Sequence, residues 1–346
     1  MKLVKMKFTS PLHLAKGGTD YSESLERLHS DTLKSAIFSA ARLFYEKDIL
    51  AGQTETANPF LDAFTISSAF PFFQNELFFP CPMLGIEVDE TSVKSKVRKK
   101  ISYLGQSIFE EWANGKLISI RDNQLFQGNR YASDKDFPEG KELVMIAEEN
   151  YQHVTVPRAG NADSDPFFME RLRFTDDAGL FFLIDIHDDA LFPIIKAAIE
   201  ILGDEGIGSD RSTGNGQFKP VWEDFSWKKQ VKNGSHLLNL SLFCPTKDDF
   251  SDGDLIHSGN GEHSGSAYQL VRRGGYVASP NNYTYATLRK KPVYFFKEGS
   301  IFPVGQKILE GRLLNVRPKL MEKEHPVWRE GRSMFISVHP PIQFEK

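Results

Sequence analysis

Between Gly179 and Phe218 a strongly apolar strand, a helix and a glycine-rich loop follow one another, and that succession limits the folds open to this chain. Gly179 to Ile186 reads as the strand, and Leu191 to Leu202 has helical length and spacing. Gly203, Gly206, Gly208, Gly214 and Gly216 then fall within fourteen residues, interleaved with Ser209, Arg211, Ser212 and Thr213. Glycine admits positive φ and close backbone approach. Successive amides in such a loop can form a concave nest for phosphate oxygens, to which the hydroxyls and the Arg211 fork add donors.

The position of the loop matters, because nucleotide loops precede a helix and use its N-terminus. Here the loop follows one. A Walker-type pattern fails, since Ser209 and Asp210 follow Gly208 where Lys and Ser/Thr are required. A dinucleotide fingerprint fails as well, since Arg211 stands where the third glycine belongs.

Upstream, Lys2 to Phe8 alternates as a half-buried strand. Ser30 and Asp31 offer an N-cap to a helix from Leu33 to Tyr45, with Leu33, Ile37, Ala40, Ala41 and Phe44 as its apolar stripe. Phe64 to Phe73 and Glu76 to Phe79 read as strands joined by a Gln74-Asn75 turn. Val154 to Phe174 reads as a protruding hairpin, with arms at Val154–Val156 and Arg171–Phe174. Together these give the β-α-β-β-α-β rhythm of a ferredoxin-like domain with insertions, over residues 1–225. Ser226 to Ser235 reads as a linker. A β-rich second domain follows over residues 236–346, with strands expected at Leu237–Phe243, Tyr268–Val271, Val293–Phe296 and Ser333–Val338.

A formal charge of −4 over 346 residues excludes a uniformly basic surface, so any nucleic acid must be met by local patches. Cys81 and Cys244 are too few for a thiolate zinc cluster and make a disulfide framework improbable. The N-terminus lacks a signal-peptide core, and runs such as Leu180 to Ile184 are too short to span a bilayer. A cytoplasmic protein with no membrane partner is expected. Asp185, His187, Asp188 and Asp189 fit a helix start better than a metal site. His257 and His263 lack a third ligand, so no metal and no cofactor are expected. Lys94 to Lys100 reads as a solvated basic face.

Six short motifs in order resemble the RAMP superfamily of CRISPR effector subunits, and within it the fourth-subunit family of the type III-A Csm complex. They are His29-Ser30-Asp31-Thr32-Leu33, Ile66-Ser67-Ser68-Ala69-Phe70-Pro71, the glycine loop, Arg272-Arg273-Gly274-Gly275-Tyr276-Val277, Glu298-Gly299-Ser300-Ile301-Phe302 and His325 to Arg332. Cys81-Pro82-Met83 and Ser209 depart from the family, which has a basic residue before that proline and often a glycine at the loop position.

The resemblance implies an α+β protein of two ferredoxin-like (RRM-like) domains with a thumb hairpin. It implies a non-catalytic subunit that holds the 5′ handle of the guide RNA. Its partners would be that RNA, a large polymerase-like Csm subunit and a neighbouring backbone RAMP subunit. The RNA contacts it suggests are Lys16, His29, Ser30, Arg158, Arg171 and Arg173, then Gly206, Gly208, Ser209, Arg211, Ser212, Thr213, Gly214 and Gly216, then Arg272 and Arg273. Phe167, Phe168 and Met169 would supply a wedge that kinks the guide. The alternative is a metal-independent RAMP endoribonuclease in which His29 is the acid–base group.

Overall fold

The computed structural model describes residues 1–15, 24–25, 27–86, 93–137, 143–155, 164–250, 265–278, 283–305 and 308–341. The N-terminal part is organised by one sheet, antiparallel through its main strands. Its strands are β1 (Lys2–Phe8), β2 (Phe64–Ile66), β3 (Phe70–Phe73) and β4 (Glu76–Pro80), then, past a separate hairpin of β5 (Ile146–Thr155) and β6 (Asp165–Phe174), β7 (Ala178–Ile186) and β8 (Phe218–Asp224). Two helices cross between strands: α1 (Ser30–Leu50) after β1 and α2 (Phe192–Glu205) after β7. The strand order is β8-β1-β7-β3-β4, continued past β4 by short strands at Tyr103–Gly105, Tyr131–Ala132 and Leu125–Phe126, with β2 pairing β7 alongside β3.

Burial explains why β7 is central: Ala178 to Ile184 are all buried, which an all-apolar strand tolerates and an alternating one does not. Gly203, on the last turn of α2, brings that helix against β8; a Cβ there would strike the Phe218 carbonyl. The α1 stripe is buried at Leu33, Ile37, Ala40 and Ala41 as its spacing predicts, but Phe44 is 71% exposed. The helix departs from helical φ/ψ at Tyr45, and the stripe ends before that break.

The strand expected over Phe64–Phe73 is split at Ser67-Ser68-Ala69, and the split is where the C-terminal part enters. The Ser68 amide donates to the Leu240 carbonyl at 2.8 Å, and Ser241 Oγ donates to the Ile66 carbonyl at 2.6 Å. The Leu242 amide donates to Ser30 Oγ at 3.0 Å. Leu238, Leu240, Ile301, Trp328, Met334 and Val338 belong to the same apolar core as β1, β7 and α2. Residues 226–235 are correspondingly no free linker. Trp227 packs on Phe79 at 4.9 Å, Val231 is buried, and the Lys228 and Lys229 amides donate to the Glu110 carboxylate.

Beyond residue 235 lie β9 (His236–Asn239), β10 (Leu270–Arg273), β11 (Val293–Phe296), β12 (Ile301–Pro303) and β13 (Phe335–Val338). β12-β9-β13 form an antiparallel sheet, and β10 and β11 a separate ladder. The described residues here contain one α-helix, Tyr283–Ala286, of four residues. They therefore trace no second β-α-β-β-α-β unit.

The two parts are locked by ion pairs at the start of α1. Glu298, fully buried, accepts from His29 Nδ1 at 2.7 Å, pairs with Arg27 Nη1 at 3.3 Å and accepts from Ser68 Oγ. Asp31 pairs with Arg273 at 3.1 Å and Arg329 at 3.4 Å. Lys34 pairs with Glu330 at 2.7 Å, and Glu330 with Arg332 at 2.8 Å. Burial acts to raise the Glu298 carboxyl, but His29 and Arg27 outweigh it and hold it well below the ordinary carboxylate range. Glu330 is likewise held down to about 2, with Lys34 and Arg332 overcoming its burial.

A carboxyl depressed on folding stabilises the fold above its unfolded pKa and loses that contribution as pH falls toward the folded value. We expect stability to decline as pH drops from about 4.5 toward 2, with a shallower decline in Glu330→Gln, measured by urea unfolding across pH. At neutral pH, Glu298→Ala should cost about 3–5 kcal/mol, because it leaves buried cations without their counter-charge. A loss below about 1 kcal/mol in the same assay would mean the joint is not held by this group.

Candidate nucleic-acid interface

Backbone geometry shapes the glycine loop before any side chain acts. Gly206 ends α2 at φ +83°, Gly208 stands at φ +96° and Gly216 at φ +76°. A Cβ at Gly208 would strike the His13 carbonyl, and one at Gly216 the Ile207 carbonyl. Much of the expected amide nest is already committed. The Ile207 amide donates to Gly216, Ser209 to His13, and Gly216 to Pro11. These glycines fold the loop onto the segment after β1. What faces outward is the short turn Arg211–Thr213, where all three residues are exposed.

Asp210 organises that turn from a left-handed φ of +57°. Its side chain accepts from Thr213 Oγ1 at 2.8 Å and from Asn215 Nδ2 at 3.1 Å. It also lies 3.8 Å from both Arg171 Nη2 and His153 Nε2 on the hairpin. The β5–β6 register puts Glu149 opposite Arg171, Tyr151 opposite Met169 and His153 opposite Phe167, so these residues share one face. Arg171 lies over the Tyr151 ring at 4.1 Å and donates to His153 Nε2 at 2.8 Å. His153 stacks on Phe167 at 5.3 Å.

The segment after β1 ties the two pieces together. Leu12 and Leu172 exchange backbone hydrogen bonds at 2.8 and 2.7 Å, and His13 Nδ1 lies 2.6 Å from the Glu170 carbonyl. The loop tip and the hairpin face thus form one surface of donors and rings. Its half-exposed members are Arg211 and Tyr151.

The structure therefore unites Gly206, Gly208, Ser209, Arg211, Ser212, Thr213, Gly214 and Gly216 with Arg171. Arg173 shares the hairpin face, exposed and paired with Glu149 at 2.7 Å. Lys16 and Arg158 lie outside the described residues. The other expected contacts go elsewhere. His29 and Ser30 are buried in the joint, and Arg273 is spent on Asp31 and Thr32. Ser30 is fully buried and His29, 7% exposed beside Glu298, is poorly placed to meet a strand, while Arg273 is half-buried with Nη1 outside these bonds. Arg272 is exposed on the β10–β11 ladder opposite Tyr294. Of the wedge residues, Met169 is buried and Phe167 is stacked on His153, whereas Phe168 is 61% exposed on the opposite hairpin face.

Tyr151, His153 and Asp210 were not identified from sequence. The two-residue alternation of 149, 151 and 153 was the available signal, but using it requires the hairpin register. Among the described residues no cluster of His, Cys, Asp or Glu is arranged to hold a metal. Asp188 instead accepts from the Ala190 amide just before α2. His257 and His263 lie outside the described residues. Cys81 and Cys244 are free thiols, and no described helix is long and apolar enough to cross a membrane.

Residues 5–219 match the family model of the RAMP superfamily. The chain belongs to the RAMP superfamily. Residues 232–338 match the CRISPR Csm4 C-terminal domain. Among relatives, the chain is 24% identical over 329 residues to the CRISPR system Cms protein Csm4 of Streptococcus thermophilus, covering 89% of this chain and 94% of the relative. It is 23% identical over 278 residues to that of Mycobacterium tuberculosis (strain CDC 1551 / Oshkosh), covering 79% of each. The fold is similar to a chain of the Csm3-Csm4 subcomplex in the type III-A CRISPR-Cas interference complex, with TM-score 0.65, 18% identity, and 98% of this chain and 100% of that one covered. It is also similar to a chain of a Csm1-Csm4 cassette in complex with cA4, with TM-score 0.56, 18% identity and 99% of each covered.

This RAMP chain depends on its glycines for the shape of the loop. Gly216→Ala is expected to destabilise the protein by about 1–3 kcal/mol through its positive φ and the crowded Ile207 carbonyl. Gly214→Ala keeps the positive-φ strain but meets no atom within 4 Å and should cost less. Equal losses for the two in chemical denaturation would contradict the packing role of Gly216.

Proposed function

We propose that this protein is a non-catalytic RNA-binding subunit of a type III CRISPR effector complex, in which it anchors the 5′ handle of the guide RNA. The observation that carries the reading is the convergence of the Arg211–Thr213 tip with Arg171 and Tyr151 on one surface. A bent single strand needs hydroxyl and guanidinium donors for its phosphates and rings for its unstacked bases. This surface supplies both, in a chain whose net charge of −4 rules out a diffuse basic coat. Phe168, exposed on the hairpin, is the proposed wedge at the handle–spacer boundary.

Arg173 and Arg272, and Lys16 and Arg158 from their sequence positions, are proposed auxiliary phosphate contacts. The relatives solved with Csm3 and with Csm1 support docking of this chain to a backbone RAMP subunit and to a large polymerase-like subunit. The order β8-β1-β7-β3 with α1 and α2 as crossovers supports a ferredoxin-like reading of residues 1–225. Residues 236–346 are proposed as a reduced, β-rich partner domain. The burial of His29 against Glu298 favours a structural role for it over general acid–base work.

The test is binding of RNA carrying the native handle against RNA of the same length with a scrambled handle. Wild-type protein should prefer the native handle. Arg211→Ala should weaken native-handle binding about tenfold, the worth of one charge-assisted contact. Equal affinity for both RNAs, or unchanged affinity in the variant, contradicts the reading. Cleavage of repeat RNA in EDTA that disappears in His29→Ala would contradict the non-catalytic role.

A further inference from the structure

Helix α1 and the C-terminal part enclose a cleft of about 90 Å³ that the guide-binding face does not use. Its wall carries Lys34, Arg42 and Lys290 against a single carboxylate, Glu330. Lys34 is paired with Glu330 at 2.7 Å and Arg42 with Glu46 at 2.8 Å. Lys290 differs: among the described residues its Nζ makes no ion pair and no hydrogen bond.

The surroundings of Lys290 increase the imbalance. Arg273 and Arg329 crowd the one carboxylate of Asp31, and Arg329 Nη1, buried 3.4 Å from Asp31 Oδ2, has no hydrogen-bond partner. Burial and the nearby Arg329 push the Lys290 ammonium down to about 8, with Asp31 only partly opposing them. An uncompensated ammonium in a confined site calls for an anion. The serines of the wall are poor donors, because Ser35 Oγ already donates to the Asp31 carbonyl and Ser39 Oγ to that of Ser35. Recognition must come from the cations. A phosphate group, with several acceptor oxygens around one centre, matches these ammonium and guanidinium donors.

We propose that this cleft binds one phosphate group through Lys290, with the unused N–H donors of Arg42 at its rim. The phosphate comes either as the free ion or as one link of an RNA chain. The site shares no residue with the loop–hairpin surface, so it stands or falls separately from the handle reading.

The test follows thermal unfolding and calorimetric binding of the full chain in sodium phosphate and in sodium chloride of equal ionic strength. Phosphate should raise the unfolding temperature above that in chloride. Lys290→Met should remove that difference and weaken phosphate binding at least tenfold. Without phosphate the variant should unfold at the same temperature as wild type or higher, since it loses only an uncompensated charge; Lys290→Arg should keep the binding. An eight-nucleotide RNA is then added to the phosphate-bound protein. Displacement identifies RNA phosphate as the occupant and persistence identifies the free ion, and either supports the site. No phosphate effect in wild type, or an equal effect in Lys290→Met, overturns it, whatever the outcome of handle binding.

Discussion

The joint between the two parts of this fold centres on one buried carboxylate. Glu298 comes from the C-terminal part, yet its partners His29, Arg27 and Ser68 all come from the N-terminal part. A buried charge so placed is costly unless every partner is present, so it acts less as a source of net stability than as a specifier of one arrangement. Asp31 with Arg273 and Arg329, and Lys34 with Glu330, repeat the device along the first turns of α1. The break in the second strand at Ser67-Ser68-Ala69 belongs to the same joint, because it exposes edge groups that Leu240 and Ser241 satisfy.

The joint gives four of the six family motifs a physical meaning. The first-helix motif, the Ser67-Ser68 motif, the Glu298 motif and the Arg329–Arg332 motif meet at one place, with Arg273 from a fifth. From sequence, His29, Ser30 and Arg273 among them read as RNA contacts. In three dimensions the motifs consist mostly of side chains that satisfy one another. The surface proposed for the guide strand is the loop and hairpin, where Asp210 holds Arg171 near a turn whose three side chains are exposed.

How much of this was legible in the sequence follows from the range of each interaction. β1, α1, the Gln74-Asn75 turn, β7 and α2 rest on local periodicity and lie within a few residues of where the pattern puts them. Phe44 keeps the spacing of the stripe but stands next to the break at Tyr45 and is exposed, which the periodicity alone does not show. The glycine loop was found, but its amides were expected to face a ligand and several instead bind the segment at Pro11 and His13. Residues 226–235 were polar enough to read as a linker, yet Trp227 and Val231 anchor them. The roles of His29, Ser30 and Arg273 depended on Glu298, Leu242 and Asp31, more than 200 positions away in each case. No local pattern encodes such pairs.

The guide strand is proposed to lie on the loop–hairpin surface and not on the joint. Ultraviolet crosslinking of the assembled complex, with photoreactive nucleotides placed one at a time through handle and spacer, measures this directly. Crosslinks from handle nucleotides to residues 209–213 and to Tyr151 or Phe168 are predicted. Handle crosslinks that fall only on the β10–β11 ladder, or a loop reached by spacer nucleotides alone, would contradict it.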